Sequence, residues 1–184
     1  MDRLEDYYHK EGSTFLIEIN LREARQIFDS LDPAPFHDKD LDADAEVYII
    51  ESVKEFAIKT PMQLVIYLPV KEAESDDAKA IPAAICNYFE YQSQRSRKEL
   101  RFVLLQGRTS LIIGLLFLFF CISAREGITA LLPGTAGNIL DEGLLISGWV
   151  AMWRPIQIFL YDWWPIGRRR RLFEKIKHMD IEIR

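Results

Sequence analysis

The stretch "TSLIIGLLFLFFCISA", residues 109–124, decides the fold of this chain. Its 16 residues carry no charge, whereas a helix that crosses the hydrocarbon of a bilayer needs roughly 20 apolar residues. Extension back to Val103 supplies the missing length, because the long side chain of Arg108 reaches toward the lipid headgroups. We therefore predict a first transmembrane span over residues 103–124.

A second apolar stretch, residues 144–164, contains "GWVAMWRPIQIFLYDWW" and predicts a second span. It is interrupted by Arg154, and Pro155 removes a backbone donor and kinks a helix. The alternative that we keep open is a break at Pro155. The second half would then lie in the membrane interface, where Trp163 and Trp164 suit headgroup depth.

Arg154 lies in the second span, and a two-helix hairpin offers no obvious polar partner for its guanidinium group. An arginine in hydrocarbon is costly unless it faces protein, water or a counter-charge, so it marks function or assembly. Asp162 lies about 12 Å further along a straight α-helix and about 80° around it, so a regular helix keeps the two apart. A distortion at Pro155 would change that geometry. We treat Arg154, Pro155 and Asp162 as candidate intramembrane polar residues that act in assembly.

Charge is distributed unevenly along the chain. Residues 1–94 hold 9 Lys/Arg against 20 Asp/Glu, a net charge of −11, and residues 95–184 hold 14 against 8, a net charge of +6. This asymmetry indicates an acidic soluble domain joined to a membrane module. An acidic domain repels phosphates, so we predict no nucleic-acid partner.

Basic residues flank the two predicted spans and predict their topology. The predicted loop between the spans holds one basic residue, Arg125, and three acidic ones. By the positive-inside rule both termini lie in the cytoplasm. Arg168 to Arg171 are predicted to anchor the second span at the cytoplasmic face. Their possible additional function is to bind anionic lipid headgroups. The flanking basic residues are Arg95, Arg97, Lys98, Arg101 and Arg108, then Arg168, Arg169, Arg170, Arg171, Lys175 and Lys177.

The N-terminal half has the pattern of a small α+β domain. "STFLIEINL" and "TPMQLVIYLPV" predict strands, and "REARQIFDSL" and "DLDADAEVYIIESVKEFA" predict amphipathic helices. A long helix is predicted from about Ile81, with Pro82 in its first turn, directly into the first span.

A sheet of only two strands is marginally stable, so a further strand is expected elsewhere in the chain. The C-terminal stretch "HMDIEIR" is the candidate. Its alternation at Met179, Ile181 and Ile183 predicts a strand added to this head or to a neighbour's head, with a solvated or helical tail as the alternative. The predicted fold is α+β, with a small cytosolic head on an α-helical transmembrane hairpin. Residues 1–94 form the head, residues 95–171 the long helix and hairpin, and residues 172–184 the tail.

One acidic run has the spacing of a calcium loop. Asp40, Asp42, Asp44 and Glu51 fall at positions 1, 3, 5 and 12 of an EF-hand pattern. The glycine required at position 6 is Ala45, whose Cβ opposes the left-handed backbone of that turn. We favour an aspartate-capped helix start, with calcium binding as the alternative.

The sequence holds no motif of a known catalytic site. Neither GxGxxG, a P-loop, GxSxG nor HExxH occurs, and the two cysteines, Cys86 and Cys121, belong to no Cys/His cluster. We predict a protein that is not an enzyme and has no cofactor.

Two stretches, "LDPAPFHDKDLDADAE" and "EGLLISGWVAMWRPIQIFLYDWWPIGRRRR", together resemble an uncharacterised group of bacterial two-span inner-membrane proteins. The resemblance implies the bacterial inner membrane as the location and supplies no catalytic residues. We predict a scaffold or accessory subunit of a membrane assembly, whose partners are the lipid bilayer and either further copies of this chain or other membrane subunits. The alternative is an oligomeric channel or transporter component in which Arg154 lines a polar path.

Overall fold

The computed structural model describes residues 7–33, 39–132 and 134–184. Part of the stretch that carries the family resemblance, residues 34–38, lies outside them. The chain divides into two compact units. From here on, "head" means residues 1–95 with residues 169–184, and "hairpin" means residues 96–168. Residues 172–184, predicted as a tail, fall within the head.

A four-stranded sheet forms the centre of the head. Its order is β1 (Lys10–Glu11), β2 (Thr14–Asn20), β3 (Met62–Tyr67) and β4 (Asp180–Ile183). β3 lies parallel to both β2 and β4, and β1 is antiparallel to β2. Both predicted strands are present, and the tail adds its strand to its own head. The short β1 was missed, because two exposed residues show no alternation.

Helices cover one face of this sheet. Alternate residues of the strands point to that face, so Ile17, Leu64 and Ile66 are fully buried there. The residues that pack against them come from both ends of the chain, so the tail is part of the core. They are Ile49 and Val53, then Ala78, Ile81, Ile85 and Phe89, and finally Leu172, Phe173 and Ile176.

The predicted helix "REARQIFDSL" is wrong in type, because only a single 3₁₀ turn forms over Ala24–Ile27. Beyond it the chain becomes extended: Phe28 bridges Leu41, and the Asp29 N–H donates to the Asp40 carbonyl at 2.9 Å. This pairing takes the backbone groups that another helical turn would need. Ile27 stays fully buried all the same.

The long helix extends further at both ends than predicted. After the short α2 (Val70–Ala73), α3 covers Asp76–Leu131. Its start is capped by Ser75, whose hydroxyl accepts from the Ala78 N–H at 3.0 Å. Pro82 therefore lies inside the helix and not in its first turn.

The return half of the hairpin is also more helical than expected. α4 covers Thr135–Gln157, a π turn follows over Ile158–Asp162, and α5 covers Trp163–Lys177. Most of the predicted loop between the spans is thus helical, which corrects the sequence reading. The alternative of a break at Pro155 is wrong, since helical backbone continues through it.

Candidate functional site in the hairpin

Small residues form the contact between α3 and α4. A methyl group built on Gly107 would lie 2.8 Å from Ile158 Cγ2, and one on Gly114 would lie 3.1 Å from the carbonyl oxygen of Ala151. On Gly148 it would meet a leucine side chain of α3 at 2.7 Å. Close approach through small residues is typical of helix pairs in membranes. The seven-residue spacing of Gly107 and Gly114 keeps them on one face, which is a signal that the sequence reading missed.

Pro155 is accommodated at this contact. In a regular helix the N–H of residue 155 would bond to the carbonyl of Ala151, and proline has no such donor. The Ala151 oxygen lies beside Gly114, whose missing Cβ leaves it room. The freed carbonyl thus faces the partner helix, where Cα–H contacts are common.

The π turn brings Arg154 and Asp162 together. Arg154 Nη1 lies 3.2 Å from Asp162 Oδ2, although a regular helix would place them about 80° apart. One α turn holds about 3.6 residues and a π turn roughly one more, so two such turns hold about eight and align the side chains. A distortion of the helix shortly after Pro155 thus lets the two side chains pair within one chain, and their role in assembly stays a prediction.

Aromatic and basic residues follow directly after the pair. The Trp163 indole N–H donates to the Phe159 carbonyl at 2.8 Å, which satisfies a backbone acceptor of the π turn. Trp164 is exposed. Of the arginine run on α5, Arg168, Arg169 and Arg171 are exposed and Arg170 is half-buried.

A second ion pair lies at the other end of the hairpin and was missed. Arg125 Nε and Nη2 donate to the two carboxylate oxygens of Asp141 at 2.6 and 2.7 Å, a bidentate geometry. Both residues had been assigned to a loop. Asp141 and Asp162 lie about 31 Å apart at 1.5 Å per residue, close to the roughly 30 Å of bilayer hydrocarbon. The two pairs therefore bracket a membrane-sized length of the hairpin.

The acidic run 40–51 forms a capped helix start. The Asp42 carboxylate accepts from the N–H groups of Asp44 and Ala45, at 3.0 and 3.4 Å, and α1 covers Ala43–Lys54. The predicted cap is confirmed. Asp44 and Glu51 lie in this helix, two turns apart, so an EF-hand loop is not formed here. Within the described parts of the chain, no group of three or more His, Cys, Asp or Glu side chains is placed to hold a metal ion.

The sheet face opposite the helices carries a polar network. The Tyr67 hydroxyl donates to the Glu18 carboxylate at 2.7 Å, and this hydrogen bond lowers the pKa of Glu18. Arg184 donates to both oxygens of Glu11, at 2.7 and 3.0 Å, and to both of Glu182, at 2.9 Å. Those hydrogen bonds lower the pKa of both carboxyls.

This network predicts an acid-sensitive contribution to stability. A carboxyl whose pKa is lowered by folding stabilises the fold above its ordinary pKa, 4.5 for these glutamates, and loses that effect as pH falls through the folded value. We expect Arg184→Gln to lower the melting temperature at pH 7 by a few degrees. The further loss of stability between about pH 5 and pH 2.5 should be smaller in the variant. Melting curves over this range test it, with Arg22→Gln as the control; equal acid sensitivity of both variants would contradict it.

Comparisons with protein-family models, with curated proteins and with solved structures find no match for this chain. The resemblance to bacterial two-span proteins stays a prediction.

Proposed function

We propose that this protein is a non-catalytic integral membrane protein, in which the hairpin anchors a cytosolic head and the whole acts as a scaffold or accessory subunit. The supporting observation is exposed apolar surface on two helical segments, Asp76–Ile128 and Thr135–Lys177, which are long and apolar enough to cross a membrane. In the most apolar 18-residue stretch of each segment, only 11% and 17%, respectively, is buried. A core helix of a soluble protein would be mostly buried.

The exposed apolar surface of the hairpin must be shielded from water by lipid or by another protein. In water a contiguous apolar patch of this size marks an interface or promotes aggregation, whereas lipid chains cover it without cost. The exposed side chains include Phe102, Ile113, Leu116, Phe119, Phe120, Ile139, Ile146, Trp149, Val150, Trp153, Leu160 and Tyr161.

The proposed orientation follows from the exposed basic residues. Arg95, Arg97, Lys98 and Arg101 precede the apolar part of α3, and the run 168–171 follows the apolar part of the return helix. Both groups lie along the chain where head and hairpin meet. The positive-inside rule then favours a cytoplasmic head with both termini inside, and the arginines suit anionic headgroups.

The ion pair argues against the channel alternative. A ring of arginines that conducts anions needs free guanidinium groups, and the Arg154 guanidinium is paired with Asp162. The pair also lowers the cost of placing Arg154 near hydrocarbon.

Native mass spectrometry after extraction in mild detergent tests the proposal. We expect the extracted chain to carry further copies of itself or a co-purifying membrane protein, together with anionic lipid. A variant in which all four arginines of the run 168–171 are replaced by glutamine should bind less anionic lipid. Its protein stoichiometry should be unchanged. A lone monomer without any co-purifying chain, or a protein that stays soluble without detergent, would contradict the proposal.

A further inference from the structure

A cleft in the head combines tyrosine rings with carboxylates. Its volume is about 330 Å³, near the lower limit for small-ligand pockets. It lies beside β2 and the C-terminal end of α1, and its lining residue Tyr8 also packs against the core. The lining residues are Tyr7, Tyr8, Leu16, Glu18, Tyr48 and Glu55.

Two of the three rings are held in place by contacts of their own. The Tyr48 hydroxyl donates to the Glu18 carbonyl at 3.2 Å. The Tyr8 ring packs edge-on against Phe56, with centroids 5.1 Å apart. Burial raises the pKa of Tyr8, and the neighbouring Glu55 raises it further, so its phenol stays neutral. The cleft is thus largely preorganised, which lowers the entropic cost of binding.

The electrostatics of the cleft favour positive charge. Glu55 is the C-cap residue of α1, where the helix dipole disfavours a carboxylate and favours a cation. The head as a whole holds 16 Lys/Arg against 23 Asp/Glu, a net charge of −7. Glu55 at this helix C-terminus and Glu18 on β2, whose carboxylate also contacts Tyr67 and His9, lie in an acidic domain and repel anions.

We propose that this cleft binds an organic cation, an alkylammonium or guanidinium group. The faces of tyrosine rings attract such cations within about 6 Å of the ring centroid, and the glutamates supply the counter-charge. The inference concerns the head alone and does not depend on the membrane role proposed above. The cation has two possible sources, a free amine or a basic side chain of a partner peptide, and the probes below distinguish them.

Titration of the full chain in nanodiscs of zwitterionic lipid tests the proposal, with empty nanodiscs as background. The probes are choline and N-acetyl-lysine methylamide, each with a neutral counterpart of similar shape, 3,3-dimethylbutanol and N-acetyl-norleucine methylamide. We expect saturable binding of at least one cation in calorimetry or saturation-transfer NMR, about tenfold tighter than its neutral counterpart. Tighter binding of choline indicates a free amine, and tighter binding of the capped lysine indicates a peptide.

Matched variants assign the binding to the cleft. Glu55→Gln and Tyr48→Leu should each weaken binding about fivefold. Tyr48→Phe, which keeps the ring but loses the hydrogen bond to Glu18, should weaken binding less than Tyr48→Leu. Glu51→Gln, which changes an exposed carboxylate on the same helix, should leave binding nearly unchanged. Equal binding of the neutral counterparts, no binding of either cation, or equal effects of Glu55→Gln and Glu51→Gln would overturn the proposal. A melting curve for each variant separates lost binding from lost folding.

Discussion

A polypeptide in which residues 1–95 are joined to residues 169–184 by a short Gly/Ser linker will fold as a soluble domain, whereas residues 1–94 alone will not. The C-terminal segment supplies β4 and the buried side chains of Leu172, Phe173 and Ile176. Burial of each such side chain stabilises the fold by about 1.5–3 kcal/mol. Their combined loss is comparable to the roughly 5–15 kcal/mol by which small domains are stable.

A short linker suffices because α3 and α5 lie side by side in the head. The Ser93 hydroxyl donates to the Glu174 carboxylate at 2.6 Å, and Lys177 pairs with Glu90. Dispersed amide NMR spectra and a cooperative melting transition are the expected observations for the joined polypeptide. The control carries Ile176→Asp, which places a charge in the core and should abolish the transition. A cooperative transition for residues 1–94 alone would contradict the assignment of the tail to the core.

Asp162→Asn will strongly destabilise the hairpin. The change removes the counter-charge of Arg154 and leaves the cation unpaired at the edge of the proposed hydrocarbon region. Breaking a pair in such surroundings costs about 2–4 kcal/mol. Removal of both charges, in Arg154→Gln with Asp162→Asn, should recover most of this loss, because no unpaired ion remains.

A double-mutant cycle measured by unfolding in mixed detergent micelles gives the coupling energy of the pair. Arg168→Gln is the matched control, an exposed arginine of α5, and we expect it to change stability by less than about 0.5 kcal/mol. If the two single substitutions are additive, the pair contributes no stability. Arg154 would then be available to a polar path, as the channel alternative requires.

The local parts of this fold could be predicted from the sequence. Period-two alternation indicated β2 and β4, and the stretch between Pro61 and Pro69 indicated β3. Asp42 before an amphipathic run indicated the start of α1. The charge-free stretch 109–124 indicated a helix with an apolar surface. Such signals depend on each residue's neighbours along the chain, because strand and helix periodicity are local geometric properties.

The candidate sites depended on a change in helix geometry and on contacts between distant residues. The spacing of Arg154 and Asp162 argued against a pair in a regular helix, and only the π turn, seated against Gly107, reversed that conclusion. One extra residue in a turn rotates all the residues that follow it about the helix axis. Pro155 indicated that the helix could be distorted, but no residue type in the stretch specifies where an extra residue is inserted.

The order of the amino acids is enough to predict the apolar length of the hairpin, its basic flanks and the local elements of an α+β domain. The tertiary structure decided which of these elements belong together. It joined the tail to the N-terminal half in one core, paired Arg125 with Asp141, and placed three tyrosines around one cleft. Such contacts link residues far apart in the chain, and their geometry is fixed only when side chains pack in three dimensions.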